Sequence, residues 1–141
     1  MHDFIIVGAG TAGCVLAERL TASGMHRVLL IEAGTKPDSP FVRIPLGMGK
    51  LFKTHLDWNF ESEPHGALGG RRVFIPRGKM LGGSSNMNAQ VHQWCHPADF
   101  DGWSASGAPG WAWNDVATVF RRMESWVGDT GDDSLRGRNG P

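Results

Sequence analysis

The chain has 141 residues, enough for one modest domain, and its 14 Lys+Arg balance 14 Asp+Glu to a formal charge of zero. That balance supplies no electrostatic footprint for a nucleic acid or an anionic membrane surface. Twenty glycines and eight prolines imply many tight turns, yet 40% hydrophobic residues suffice for a packed core and argue against global disorder.

The first strand starts almost at Met1, so no signal peptide is expected, and no apolar run approaches the roughly 20 residues that span a bilayer. Cys14 and Cys95 could form only one bridge. Cys14 falls inside a predicted helix, where a small buried thiol is the expectation, and the two cysteines together point to a reducing, cytoplasmic setting.

Asp3-Phe4-Ile5-Ile6-Val7 is a continuously apolar, β-branched run, the pattern of a strand buried on both faces of a parallel sheet. Gly8-Ala9-Gly10-Thr11-Ala12-Gly13 follows at once. Ala12, Leu16 and Leu20 then recur at helical spacing up to Ser23-Gly24, and Arg27 to Glu32 reads as a second buried strand. Residues 3–34 thus form a βαβ unit. Gly8 permits the tight turn, Gly10 lets the backbone approach a pyrophosphate, and Gly13 lets the helix pack close on the strand. A diphosphate would sit at the helix N-terminus, where free N–H groups and the macrodipole favour negative charge. Glu32 follows Gly13 by nineteen positions, where a carboxylate accepts hydrogen bonds from ribose hydroxyls and repels a 2′-phosphate, disfavouring NADP. A lone Gly-x-Gly-x-x-Gly is a weak signal, but here the strand, the helix and the acid accompany it.

Residues 35–75 read as a loop-rich excursion from the nucleotide fold. Lys36 to Pro45 is a proline-bearing loop, and Asp57 to Glu61 and Arg71 to Ile75 are short candidate strands. His55, Asp57, Glu63 and His65 invite a metal site but lack compact ligand spacing such as His-Glu-x-x-His, so isolated loop or surface polar residues are the expectation.

Residues 76–92 hold a second glycine-serine loop, Pro76-Arg77-Gly78-Lys79-Met80-Leu81-Gly82-Gly83-Ser84-Ser85-Asn86-Met87-Asn88. Its glycines permit backbone torsions closed to other residues, Arg77 and Lys79 bring positive charge, and consecutive N–H groups can form an anion-binding nest. Alone, the pattern fits a surface loop with solvated cations as well as a cofactor loop. An NAD-linked dehydrogenase would explain Gly8 to Gly13 and Glu32 but leaves Gly82 to Asn88 without a role.

A helix is predicted over about 114–127, with Asn114 as N-cap, Asp115 favourably placed against the dipole, and Val116, Phe120, Met123 and Val127 on one apolar face. The six tryptophans lack the interleaved basic residues of a base-stacking groove, so core and interface packing is their expected role. Residues 128–141 read as a polar, glycine-rich loop or linker. The fold class is α/β, the N-terminal part of a Rossmann-like domain with its excursion and a docking helix.

The chain resembles the glucose-methanol-choline oxidoreductase family, its choline-dehydrogenase-like members above all. The resemblance rests on Gly8 to Gly13 with Glu32-Ala33-Gly34, on Asp57-Trp58-Asn59-Phe60 with Glu63-Pro64, and on Pro76 to Ser85 with Asn88. It continues through His96-Pro97-Ala98-Asp99-Phe100-Asp101 with Trp103, and Pro109-Gly110-Trp111. It implies FAD, with the ADP half held by Gly8, Gly10, Thr11, Ala12, Gly13, Glu32 and Ala33. Met80, Gly82, Gly83, Ser84, Asn88 and Val91 then lie beside the cofactor. Some members attach flavin covalently through a histidine in this loop; Met87 stands there, and a thioether cannot form that bond, so noncovalent FAD is expected. The implied reaction passes hydride from a small-molecule alcohol to FAD. Members are several-fold longer, with a substrate domain and a C-terminal catalytic histidine that have no counterpart here. The chain therefore reads as an N-terminal fragment needing the remainder of its own polypeptide, and by itself inactive. A truncated, non-catalytic nucleotide-binding module is the other reading. The residues specify no particular alcohol and no electron acceptor. Similar members commonly read Tyr-x-Arg-Gly where this chain has His92-Gln93-Trp94-Cys95, which removes a fixed positive charge. His92 is expected to be a packed or hydrogen-bonded residue, not a proton carrier.

Overall fold

The computed structural model describes residues 1–44, 46–128 and 136–141. Most of the expected polar tail, residues 129–135, lies outside these, as does Pro45 of the proline-bearing loop. The chain forms two compact units, Met1–Val91 and His92–Pro141.

In the first unit, strand β1 (Phe4–Val7) and strand β2 (Val28–Ile31) pair in parallel, Phe4 opposite Val28 and Val7 opposite Ile31, with helix α1 (Thr11–Thr21) between them in sequence. A reciprocal clamp starts the pairing: the Asp3 N–H donates to the Arg27 carbonyl (2.8 Å), and the Arg27 N–H donates to Asp3 Oδ2 (2.7 Å). The expected βαβ unit is present, but its strands are not buried on both faces. Ile5 is 62% and Val7 83% exposed, because a two-stranded sheet with one helix leaves much of its apolar surface uncovered. Cys14 differs from expectation too: its thiol is exposed, donating to the Ala9 carbonyl at 3.4 Å.

The candidate strands of the excursion shrink to β3 (Phe60–Glu61) and β4 (Phe74–Ile75), antiparallel with Phe60 opposite Ile75. Local side chains end them early. Asp57 takes up the N–H groups of Lys53, Asn59 and Arg77, and Asn59 turns left-handed at φ 55°. Opposite, the Ser62 hydroxyl accepts from the Val73 N–H at 3.0 Å, replacing a ladder bond.

The core of this unit lies in the excursion and the second loop. Leu51, Leu56, Met80 and Met87 are buried together, with Val42 and Phe52 packed against them. The second loop is tied to the start of the excursion by the Leu81 N–H bond to the Thr35 carbonyl (3.0 Å), and to the βαβ unit by the Gly82 N–H bond to the Ala9 carbonyl (2.8 Å).

In the second unit, helix α2 (Pro97–Ala105) was not anticipated as a helix. Its start is nonetheless written in the sequence: Pro97 at the first turn, Asp99 against the dipole, and His96 Nδ1 accepting from the Ala98 N–H at 3.2 Å. Only Phe100 is buried on it, so the apolar periodicity was too thin to read. Helix α3 is Trp113–Met123, not 114–127. Asn114 is not its N-cap; Ala112 is, and the cap comes from α2, where Asp101 Oδ1 accepts from the Trp113 N–H at 3.0 Å. Phe100, Trp103, Trp113 and Phe120 interlock between the helices, with ring centroids 5.2–6.4 Å apart.

Helix α3 stops because Glu124 leaves it. Its buried carboxylate meets Arg136 Nη1 at 2.8 Å, the Gly137 N–H at 3.0 Å and His92 Nε2 at 3.2 Å. His92 is thus a hydrogen-bonded residue. Burial pushes the Glu124 carboxyl up, but the Gly137 N–H, Arg136 and His92 outweigh it and hold the group below the ordinary range.

Gly34 marks the tightest joint between the βαβ unit and the second loop, since a Cβ there would lie 2.1 Å from the Lys79 carbonyl carbon and 2.3 Å from the Met80 nitrogen. Gly34→Ala is expected to cost about 1–3 kcal/mol as two backbones are forced apart. Gly49→Ala, where a Cβ meets open space, supplies the comparison. Thermal unfolding of the two variants checks this, and equal midpoints would refute it.

Candidate functional site

The first glycine turn and the second loop meet at a cavity of about 530 Å³. Gly8, Gly10, Glu32, Ala33, Gly83 and Ser84 line it, so six of the residues singled out from the sequence converge on one place. The cavity lies within the range typical of small-molecule sites.

Each wall has a local cause. Gly8 turns with φ 99°, and its N–H donates to the Ile31 carbonyl at 2.7 Å, closing the turn at the end of β2. Glu32 then reaches back: Oε2 accepts from the Ala9 N–H at 2.7 Å and Oε1 from the Gly34 N–H at 2.8 Å. A carboxylate offers about four acceptor sites, so the group is fixed in place with capacity left for ribose hydroxyls. On the opposite side Gly83 adopts φ 54°, and a Cβ there would sit 2.9 Å from the Gly10 Cα. Ser84 Oγ accepts from the Gly78 N–H at 3.1 Å, and the Thr11 and Ser85 hydroxyls are hydrogen-bonded across the two segments.

The other candidates sit around this centre. Ala12 and Gly13 lie in α1, and a Cβ on Gly13 would meet the Gly8 carbonyl oxygen at 1.9 Å, which is why the helix packs so near the turn. Met80 is fully buried beneath the loop, and Gly82 turns it at φ 90°. Asn88 lines a second cavity of about 310 Å³ with Met48, Phe52 and Met87. Val91, 75% exposed, lines neither cavity.

The main cavity is also lined by residues outside the expected set, Trp58, Phe60 and Arg77 among them. The alternation in Asp57-Trp58-Asn59-Phe60 was the available signal, since it sends both aromatic rings to one side. Arg77 lines both cavities.

Asp57 holds these residues in place. It is 4% exposed, not a surface residue, and accepts three backbone N–H bonds at 3.0 Å, from Lys53, Asn59 and Arg77. Two of the other residues considered for a metal are engaged elsewhere: His55 Nε2 lies 3.3 Å from Asp38, and Glu63 pairs with Arg72 at 3.3 Å. Among the described residues no group of three or more His, Cys, Asp or Glu is placed to hold a metal. Likewise no helix among them is long and apolar enough to cross a membrane.

Residues 2–138 match the family model described as GMC oxidoreductase. The chain belongs to the GMC oxidoreductase family. In this family the matched region is the FAD-binding part, which decides for FAD over NAD. The chain is 45% identical to an oxygen-dependent choline dehydrogenase of Photobacterium profundum and 46% identical to one of Vibrio vulnificus, covering 99% of this chain in both. It spans only about a quarter of those relatives' length, 24% and 25%. Among solved structures it superimposes on pyridoxine 4-oxidase from Mesorbium loti with a TM-score of 0.89 at 37% identity, covering 99% of this chain and 27% of the other. A formate oxidase of Aspergillus oryzae RIB40 gives a TM-score of 0.84 at 32% identity over 99% of this chain and 26% of that one.

The GMC cofactor fits the cavity on this chain's own geometry. A side chain is excluded at Gly83, where its backbone meets that of Gly10, the helix α1 N-terminus has no side-chain cap to compete with a phosphate, and the anchored Glu32 carboxylate lines the same cavity.

Burial pushes the Asp57 carboxyl up, but the N–H bonds from Lys53, Arg77 and Asn59 prevail and leave its value below the ordinary 3.8. Its contribution to stability is therefore complete above 3.8 and is lost as pH falls below 3.8 through the folded value. Asp57→Asn turns an amide N–H toward a backbone donor and is expected to cost about 1–3 kcal/mol at neutral pH, while flattening this acid limb. Urea unfolding of both proteins across acid pH measures it; parallel pH profiles would refute the assignment.

Proposed function

We propose that this chain is the cofactor cradle of a flavin-dependent enzyme that oxidises the CH–OH group of a small alcohol. The observation that carries the reading is the approach of Gly83 to Gly10 beside the anchored Glu32, which builds one cavity from both glycine motifs. In this reading the free N–H groups from Gly10 to Gly13 take the diphosphate and Glu32 takes the ribose hydroxyls. Ser84 and Asn88 face the flavin end, and Met80 supports the loop from below. Val91 continues the segment past the second cavity. FAD, when bound, supplies the hydride acceptor, and the protein supplies binding, orientation and exclusion of water.

The base that takes the hydroxyl proton belongs, by resemblance, to the C-terminal part of longer members, so this chain alone is inactive and completes its fold with that part. The uncovered apolar strands β1 and β2 support this view. Choline is the first alcohol to assay, because the curated relatives are named for it. The two free cysteines support a cytoplasmic setting.

Binding of FAD is noncovalent in this proposal. Met87 is 3% exposed and packs in the core with Leu51, Leu56 and Met80, offering no ring nitrogen for attachment. The test is made on the full polypeptide that carries this chain. It should purify yellow and reduce its flavin on adding choline or another small alcohol, whereas a colourless protein that reduces added NAD would overturn the reading. Acid precipitation should leave the flavin in the supernatant; flavin retained in the pellet would contradict noncovalent binding. Gly83→Val combines a left-handed torsion with a clash against Gly10 and should weaken FAD binding about tenfold or more, read by fluorescence titration of the flavin-free protein.

A further inference from the structure

Four arginines line one cavity of the second unit. Arg121 and Arg122 come from the last turn of α3, and Arg136 and Arg138, with Gly137 and Asn139, from the segment that folds back beside it, around a space of about 410 Å³. None of these residues lines the main cavity or the one at Asn88. Cations in a last helical turn complement the macrodipole, which accounts for Arg121 and Arg122 but not for the two arginines from outside the helix. Glu124 accounts for Arg136 through one nitrogen, Nη1 at 2.8 Å, and a guanidinium carries five N–H donors. The frame around the cavity is rigid. A Cβ on Gly137 would lie 1.8 Å from the Arg121 carbonyl oxygen, the Gly137 N–H donates to Glu124 Oε2 at 3.0 Å, and the Trp126 N–H donates to the Gly137 carbonyl at 2.8 Å. Arg138 Nη1 donates to the Trp126 carbonyl at 3.1 Å and to the Gly128 carbonyl at 2.7 Å, which sets the orientation of that guanidinium.

We propose that this arginine cavity binds a small multivalent oxyanion, either a phosphate group or a polycarboxylate. The planar guanidinium fork matches two oxygens of such a group at once, and a multivalent anion draws donors from more than one arginine, which a chloride ion cannot do. The cost of ordering the site is small, because Arg136 and Arg138 are already held by Glu124 and by backbone carbonyls before any ligand arrives.

The full polypeptide that carries this chain, with FAD added in excess so that a diphosphate site is not the one measured, is titrated calorimetrically with inorganic phosphate and with citrate at constant ionic strength. Wild type is compared with Arg122→Gln and Arg19→Gln. Arg122 is exposed and its replacement leaves Arg136 on the buried Glu124, while Arg19 is an exposed arginine of α1 beside Glu18. At least one of the two anions is expected to bind one-to-one in the wild type, about tenfold more weakly in Arg122→Gln, and with unchanged affinity in Arg19→Gln. Binding of phosphate alone names a phosphoryl group as the ligand, and binding of citrate alone a polycarboxylate. Absence of saturable binding of either anion overturns the proposal. So does binding that Arg122→Gln leaves unchanged, which puts the anion elsewhere, or that Arg19→Gln weakens equally, which reduces it to overall charge.

Discussion

At Gly10 and Gly83 the chain brings together two backbone segments seventy-three positions apart, so closely that a single methyl group on Gly83 would collide with the Gly10 Cα at 2.9 Å. The cavity, and with it the placing of Glu32, Ala33 and Ser84, follows from that approach. Neighbouring bonds maintain it. Ala9 is fully buried between the segments, its N–H given to Glu32 and its carbonyl taken by Gly82. One carboxylate therefore does two jobs: it closes the first turn on itself, and it stands ready at the mouth of the cavity. Backbone contact of this kind is rigid because it has no rotamers to exchange.

The excursion between the two motifs is what makes the approach possible. It supplies Leu51 and Leu56 to the buried cluster of the first unit, and the loop that lines the site supplies Met80 and Met87. Asp57 turns the same region into a fixed frame: its carboxylate bonds Lys53 and Asn59 within the excursion and Arg77 at the start of the second loop. A buried carboxylate satisfied by several backbone N–H groups specifies one loop geometry, because any other arrangement leaves those donors unpaired. The order of dependence thus runs from Asp57 and the small core to the second loop, and from the loop to the cavity.

The parts of this arrangement that were legible in the sequence are those whose chemistry is local. Gly8 to Gly13 and Glu32 announce a turn, a helix start and an acid at fixed offsets, and the structure gathers Gly8, Gly10, Glu32 and Ala33 at one cavity. Gly83 and Ser84 were equally visible as residue types, but their meaning depended on facing the first turn, which no spacing encodes. Trp58 and Phe60 stand out in the sequence only as an alternating pair, and the strand expected over Asp57 to Glu61 forms at Phe60–Glu61 alone, because Asp57 and the left-handed Asn59 turn the backbone just before it. Tertiary capping explains the errors at α3: Asp101 of one helix caps the next, so Asn114, locally the better cap, is not used. Cys14 was expected inside because cysteines in helices usually are, yet α1 buries only Gly13, so every larger residue on it stays near solvent.

In the second unit Arg136 is the fixed cation beside Glu124, a buried acid that would be costly to leave unpaired. Its guanidinium lies 5.2 Å from the Trp94 ring centroid and 4.7 Å from that of Trp126, while Nη1 pairs with Glu124 at 2.8 Å. Trp94 itself stacks on Phe120 at 5.6 Å, joining the aromatic core between α2 and α3. Trp94 Nε1 is a buried polar atom with no hydrogen-bond partner among the described residues, and the ring's stacking contacts must outweigh that unmet donor. Because Glu124 ends α3 and also receives His92, the charge of this unit is organised around one buried carboxylate, much as the frame of the first unit is organised around Asp57.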